Sequence, residues 1–216
     1  RSKRYFMNKL KTLALATCLS FVASVASAEV RMGVSVHAMM LDSTGSETLR
    51  TSGNVTSTSI DETAIVPSLF IETLNSNGLG VGIDYVPVAE LGSKSSSNKV
   101  DAETNGENKA SAELASHATL YVIAQHENGI FVKAGMAFAD VETTESLSTG
   151  DTYGDATTEG LMAGIGMSRD LDNGMFVRGE LSYVDYDDIK LTSTGGSTVK
   201  ADVDSTNVTF SIGKSF

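Results

Sequence analysis

The chain has 216 residues, 41% hydrophobic and 20% charged, with a formal net charge of −11. Its single cysteine, Cys18, excludes an internal disulfide framework, and the acidic balance argues against nucleic acid as a partner because phosphate repels it. Beyond the amino-terminal segment no stretch holds the roughly 18 consecutive apolar residues of a transmembrane helix, so any membrane crossing has to be made by strands.

Residues 1–6 read as an upstream extension. From Met7 the chain has a basic start with Lys9 and Lys11, an apolar run from Thr12 to Val25, and Ala26-Ser27-Ala28. That is the pattern of a signal peptide over 7–28, with cleavage expected after Ala28. Cys18 lies inside the apolar run, and Thr17 before it fits a lipidation box poorly. Removal of the segment leaves 11 Lys and Arg against 27 Asp and Glu, a net charge of −16.

Eight alternating segments follow, separated by short and long connections in turn. The first, Val30 to Leu41, puts Val30, Met32, Val34 and Val36 on one face and Arg31, Gly33, Ser35, His37 and Met39 on the other. A polar stretch, 42–63, reads as a long loop. The second segment, Ala64 to Leu74, alternates Ile65, Pro67, Leu69 and Ile71 with Val66, Ser68, Phe70 and Glu72, and Asn75 to Gly78 closes a tight hairpin. Pro67 is awkward in a paired strand and points to a bulge or an opened ladder. The third segment, Leu79 to Glu90, sets Leu79, Val81, Ile83 and Tyr85 against Gly80, Gly82 and Asp84, and leads into a polar stretch, 91–112, read as a mobile loop. The fourth, Glu113 to His126, faces His117, Thr119, Tyr121, Ile123 and Gln125 one way, and Glu127 to Gly129 turns the chain back. The fifth, from Ile130, carries Phe131, Lys133, Gly135, Ala137 and Ala139 on one face, and 141–156 reads as an acidic, flexible loop. In the sixth, Thr157 to Arg169, Gly160, Met162, Gly164, Gly166 and Ser168 share a face, and Asp170 to Gly174 is the third turn. The seventh, Met175 to Tyr186, faces Phe176, Arg178, Glu180 and Ser182 together. A long connection, 187–202, precedes the last segment.

That last segment places Val208, Phe210, Ile212 and Phe216 opposite Thr209, Ser211, Gly213 and Ser215. The alternation, the turns such as Asn75 to Gly78 and the closing Phe216 resemble the eight-stranded bacterial outer-membrane β-barrel superfamily, which includes the OmpA membrane domain, OmpX, NspA and OmpW. The resemblance covers 29–216. It implies an all-β, antiparallel, up-and-down transmembrane barrel in the outer membrane of a Gram-negative cell, with short periplasmic turns and long extracellular loops. Outer-membrane lipids and lipopolysaccharide would surround it, and the outer-membrane assembly machinery would read Phe216. The competing fold is a soluble sandwich or lipocalin-like barrel, whose apolar face points inward. Against it stand the many glycines and charges of both signs on the other face, which suit a narrow interior packed by side chains. The chain departs from the family in having no Trp for its aromatic girdles.

In a membrane barrel the inward set includes Arg31, Lys133 and Arg178 with Glu72, Asp84 and Glu180. These are expected to pair, as a gate that lets small ions through or, preferably, as a static plug. The inward glycines would make room for the long charged side chains or for water. His37 and His117 also face inward, but neighbouring residues of a strand point oppositely, so Ser116 cannot serve His117 as a dyad without a bulge. Neither a cofactor nor a metal centre is expected. The acidic loops offer oxygen ligands to divalent cations without the spacing of a defined calcium loop, and Asp151 to Asp155 is the best candidate for an adhesive or cation-binding tip. The expected function is therefore non-enzymatic, structural or surface-interacting. A small porin-like channel is the alternative, and a lipid-modifying enzyme ranks third.

Overall fold

The structure is a computed structural model and describes residues 28–50, 52–98 and 106–216. The expected upstream extension and signal peptide, with Cys18, lie outside the described residues except for Ala28.

Ten antiparallel strands follow in order: β1 (Glu29–Thr48), β2 (Val55–Leu74), β3 (Leu79–Val86), β4 (Ala89–Asn98), β5 (Gly106–Gln125), β6 (Ile130–Ser146), β7 (Ala156–Asp170), β8 (Met175–Tyr186), β9 (Ile189–Thr192) and β10 (Thr198–Ser215). Eight of them close a ring, β1-β2-β3-β5-β6-β7-β8-β10, with β10 pairing back onto β1 from Arg31↔Ser215 to Thr48↔Thr198. Up to the level of Leu69↔Tyr85 closure leaves no free edge, as hydrocarbon favours because it offers backbone donors and acceptors no partner.

The face that meets the surroundings is apolar. Val36, Leu69, Ile165, Leu181 and Phe210 are all more than half exposed, while Val66, Phe70, Tyr121, Phe131 and Phe176 are buried inside. A lipocalin-like barrel would show the reverse. On β1 the outward apolar residues run from Val30 to Met40 and give way to Asp42. At about 3.4 Å per residue and a tilt near 45°, that stretch spans roughly 25 Å, the height of an apolar bilayer band.

The ring opens on one side above its middle. Pairing of β2 with β3 stops at Leu69↔Tyr85. Continuing that register by two residues puts Pro67 opposite Pro87. The register also sets which backbone groups point at the gap. Val30 and Phe216 exchange both hydrogen bonds across β1 and β10, so the odd-numbered residues of β1 bond to β2, and the odd-numbered residues of β2 point their N–H and C=O at β3. Pro67 and Pro87 thus meet where each should donate, and neither has an N–H. The ladder ends there for lack of donors.

The connections differ from expectation. Most of 42–63 is not loop: β1 and β2 stay paired up to Thr48↔Val55, and beyond that pair Leu49 bonds to Asn54 and Gly53. Much of 91–112 is strand too, as β4 pairs β5 and β5 reaches back to Gly106. Residues 189–192 add β9 to β10. The connection 147–155, expected to be flexible, is tied down. Thr143 donates from its backbone to Asp155 at 3.2 Å and from its hydroxyl to the Gly154 carbonyl at 2.8 Å, and Thr194 donates from its backbone to the Thr152 carbonyl at 2.9 Å.

Candidate functional site in the barrel lumen

From the short-turn end upward, the first lumenal layer is built on Arg31, which is 5% exposed. Its guanidinium donates to Glu29 at 3.1 Å and to Gln125 at 3.2 Å, lies 3.9 Å from Asp170, and stacks over the Phe176 ring at 5.2 Å. Above it Arg178 makes a two-pronged bond to Glu72, at 3.0 and 2.5 Å, from the opposite wall of the barrel. The Tyr121 hydroxyl donates to the same carboxylate at 2.8 Å. Lys133 pairs with Glu180 at 2.7 Å and sits 4.2 Å from the centre of the Tyr121 ring. The Arg178 guanidinium is also collared by Phe131, Phe176 and Phe70, at 4.9, 5.3 and 5.6 Å. Both members of the Arg178–Glu72 pair are almost fully buried. In that setting removing one partner costs about 3–5 kcal/mol, because the other charge is left stranded.

The collar exists because of glycine. Gly33 lies directly across from Phe70, Gly82 and Gly135 flank Tyr121 on either side, Gly166 faces Phe131, and Gly213 faces Phe176. A methyl group added at Gly82 would lie 2.6 Å from the Tyr121 ring, and one at Gly166 would lie 2.3 Å from Phe131. Gly33, Gly82, Gly135, Gly166 and Gly213 therefore clear space for aromatic rings, not for charges or water as expected. Gly80 meets Ile123, and Gly164 abuts a charged group, Glu180, at 3.1 Å.

Above the ion pairs lies a chamber of ≈ 40 Å³, room for about three waters, lined by polar groups such as His37, Asp84 and Thr209 and by the apolar Met39, Val86 and Met162. One wall is a relay that crosses four strands. His37 bonds through Nδ1 to Thr209 at 2.8 Å and through Nε2 to Ser68 at 2.7 Å, and Ser68 donates to Asp84 at 2.9 Å. This is the row just below the Pro67–Pro87 break, so side chains bridge β10, β1, β2 and β3 where the backbone is about to stop doing so. Higher still the lumen is mostly apolar, filled by Met39, Val66, Val86, Leu114, Met162 and Val184, with the buried Asn207 directly across from Met39 and accepting from Ser205. His117 sits at this level with Nε2 3.0 Å from the Tyr186 hydroxyl and no partner for Nδ1.

Of the six charges singled out in the sequence, four meet as two pairs, Glu72–Arg178 and Lys133–Glu180. Arg31 goes instead to the rim with Glu29 and Asp170, and Asp84 takes Ser68 and lies 3.4 Å from His37 rather than facing a cation. Sequence reasoning missed the aromatic collar. Its signal was present as glycine and aromatic residues alternating on the inward face, but the matching of each ring to its glycine depends on register. A bulge at Ala115 does occur in β5, yet it leaves Ser116 on the outside, donating to Asp140 at 2.8 Å, so no dyad forms with His117. Ser68, His37 and Asp84 do touch, but the hydroxyl proton goes to the carboxylate. In a nucleophilic triad the imidazole stands between the two. Phe216 faces outward, two-thirds exposed, with the Lys214 ammonium 5.4 Å from its ring. Among the described residues no cluster of His, Cys, Asp and Glu could hold a metal ion.

Solved structures share this architecture. OprG from Pseudomonas aeruginosa, an outer-membrane protein, superposes with a TM-score of 0.63 at 12% identity, over 88% of this chain and 96% of its own. This is the fold of the bacterial outer-membrane β-barrels. Ail, the attachment invasion locus protein of Yersinia pestis, solved with a heparin analogue, is similar at 14% identity and a TM-score of 0.47, covering 87% of this chain and 99% of that one. The neisserial surface protein NspA matches at 12% identity and a TM-score of 0.40, over 85% and 97%. No protein-family model and no curated protein matches the chain. The outward apolar band and the shared fold together make this an eight-stranded barrel built to cross a membrane, in the fold that bacterial outer-membrane proteins share.

Proposed function

We propose that this outer-membrane barrel is a closed, non-enzymatic anchor that holds a β-structured platform outside the cell for surface interactions. The observation that carries the reading is the Arg178–Glu72 bridge across the lumen, collared by three phenylalanines and backed by an apolar layer above. A barrel built to conduct would line its length with water-filled polar surface. Here the chamber lies between the ion pairs and the apolar side chains above them. Above the band, β1, β2, β9 and β10 form one lobe and β4, β5 and β6 another, both continuous with the wall. Lipopolysaccharide and outer-membrane lipid would contact the outward face, divalent cations would meet the acidic outer strands, and the assembly machinery would read the closing strand with Phe216.

The test is conductance of the folded protein, extracted from membranes and confirmed by its shifted mobility on unheated gels, in a planar bilayer. Silence at ordinary voltages is expected. Discrete, reproducible openings would overturn the anchor reading in favour of a small channel.

A further inference from the structure

The outer lobe containing β2 has an edge that is left open. From Val55 to Thr63, β2 is paired to β1 residue by residue, Thr48↔Val55 through Met40↔Thr63, without a bulge. On its other side, among the described residues, no strand is hydrogen-bonded to it: β3 has stopped below, and β4, which passes alongside β2, pairs only with β5. By the register fixed at Val30 and Phe216, the free donors and acceptors on that side belong to Val55, Ser57, Ser59, Asp61 and Thr63. Proteins protect such an edge with charged side chains, proline, a bulge or brevity. Between Val55 and Thr63 the only such device is the negative charge of Asp61 and Glu62, which repels an acidic strand but not a basic one; the two prolines stand lower, next after the last β2–β3 pair. The surroundings are acidic. Asp61 heads a row of aspartates that face each other across strands on the outer surface, Asp61↔Asp42, Asp42↔Asp204 and Asp204↔Asp185. From 42 to 63 the hairpin carries Asp42, Glu47, Asp61 and Glu62 against Arg50 alone. Like charges directly opposite each other destabilise a sheet, so this row favours a cationic neighbour.

We propose that the β2 edge from Val55 to Thr63 is a docking surface for an extended, lysine- or arginine-bearing segment of a partner polypeptide, which adds to the sheet as a further strand. Main-chain bonds would supply the affinity and the aspartate row the preference for basic side chains. The inference rests on the anchor reading and names its partner class. It is tested by binding, whereas that reading is tested by conductance, so either can fail without the other.

The probe is a synthetic ten-residue peptide alternating valine or threonine with lysine. It is titrated against the folded barrel in bilayer discs and compared with a glutamate-for-lysine version and with one N-methylated at alternate residues. Saturable binding of the lysine peptide is expected, with little binding of either control. Ser57→Pro combined with Ser59→Pro removes two edge donors whose N–H groups do not serve β1, so the barrel should still fold, as its gel mobility will show. Its affinity for the peptide should fall about tenfold. No binding of the lysine peptide, equal binding of the N-methylated peptide, or undiminished binding by the folded proline variant would each overturn the proposal. So would a dimer of the barrel that occupies the edge and dissociates in the proline variant, since a second copy would then be its occupant.

Discussion

Gly166 and Gly45 illustrate how far single residues decide this interior. Both are glycines in strands, but a methyl at Gly166 would meet the Phe131 ring and the Gly179 carbonyl, each at 2.3 Å, whereas one at Gly45 meets nothing closer than 3.7 Å. Gly166→Ala must push Phe131 off the Arg178 guanidinium, and overpacking of this kind costs about 1–3 kcal/mol. Gly45→Ala, with an ordinary strand conformation and open space, should be neutral or mildly stabilising. Comparing the temperatures at which the two variants lose their folded gel mobility checks this, with only Gly166→Ala expected to fall below the parent. Alternation alone placed Gly166, Phe131 and Arg178 on the inward face. That the ring lies over that glycine, and that Arg178 reaches Glu72 and not Glu180, depends on strand stagger around a closed ring, which no local pattern encodes.

Strand extent was legible only where lipid imposes it. Inside the band each outward position must be apolar, so Ile65, Leu69 and Ile71 stand out against Ser68 and Glu72. Above the band neither face is buried by lipid, and the period disappears from Val55 to Thr63 although the strand continues, held by β1 and by the β-favouring Val55, Thr56, Thr58 and Ile60. The break in the wall was half visible. Pro67 announced it, but Pro87 gained meaning only from the register that sets it opposite. Replacing both with valine should restore two donors at a hydrogen-bonding pair and let the ladder run on towards Ile65 and Ala89. Hydrogen exchange should then show new protection at positions 67 and 87 and at Ile65. Unchanged exchange at Ile65 would mean that something other than the missing donors holds the seam apart.

Across the described barrel, the proposed closed state has two layers in series, and this decides what removing the ion pairs should do. The lower layer is ionic, Arg178 with Glu72 and Lys133 with Glu180. The upper one is apolar, with Met39 and Met162 each less than a tenth exposed. An ion that passes the first must still shed its water to cross the second, at a cost of many kcal/mol for an unpaired charge in an apolar surrounding. A single Arg178→Ala substitution therefore leaves the path shut, although it strands Glu72 and destabilises the barrel. Arg178→Ala joined to Met39→Ser and Met162→Ser opens both layers, makes the upper one wettable, and should give steady conductance in a planar bilayer. The pair of Met substitutions alone should stay silent behind the intact ion pairs. If Arg178→Ala by itself conducts, the apolar layer is no barrier and the ion pairs alone close the pore. If the triple variant is folded yet silent, the seal lies higher, where Tyr153 donates to Glu47 and ties the 147–155 connection to β1.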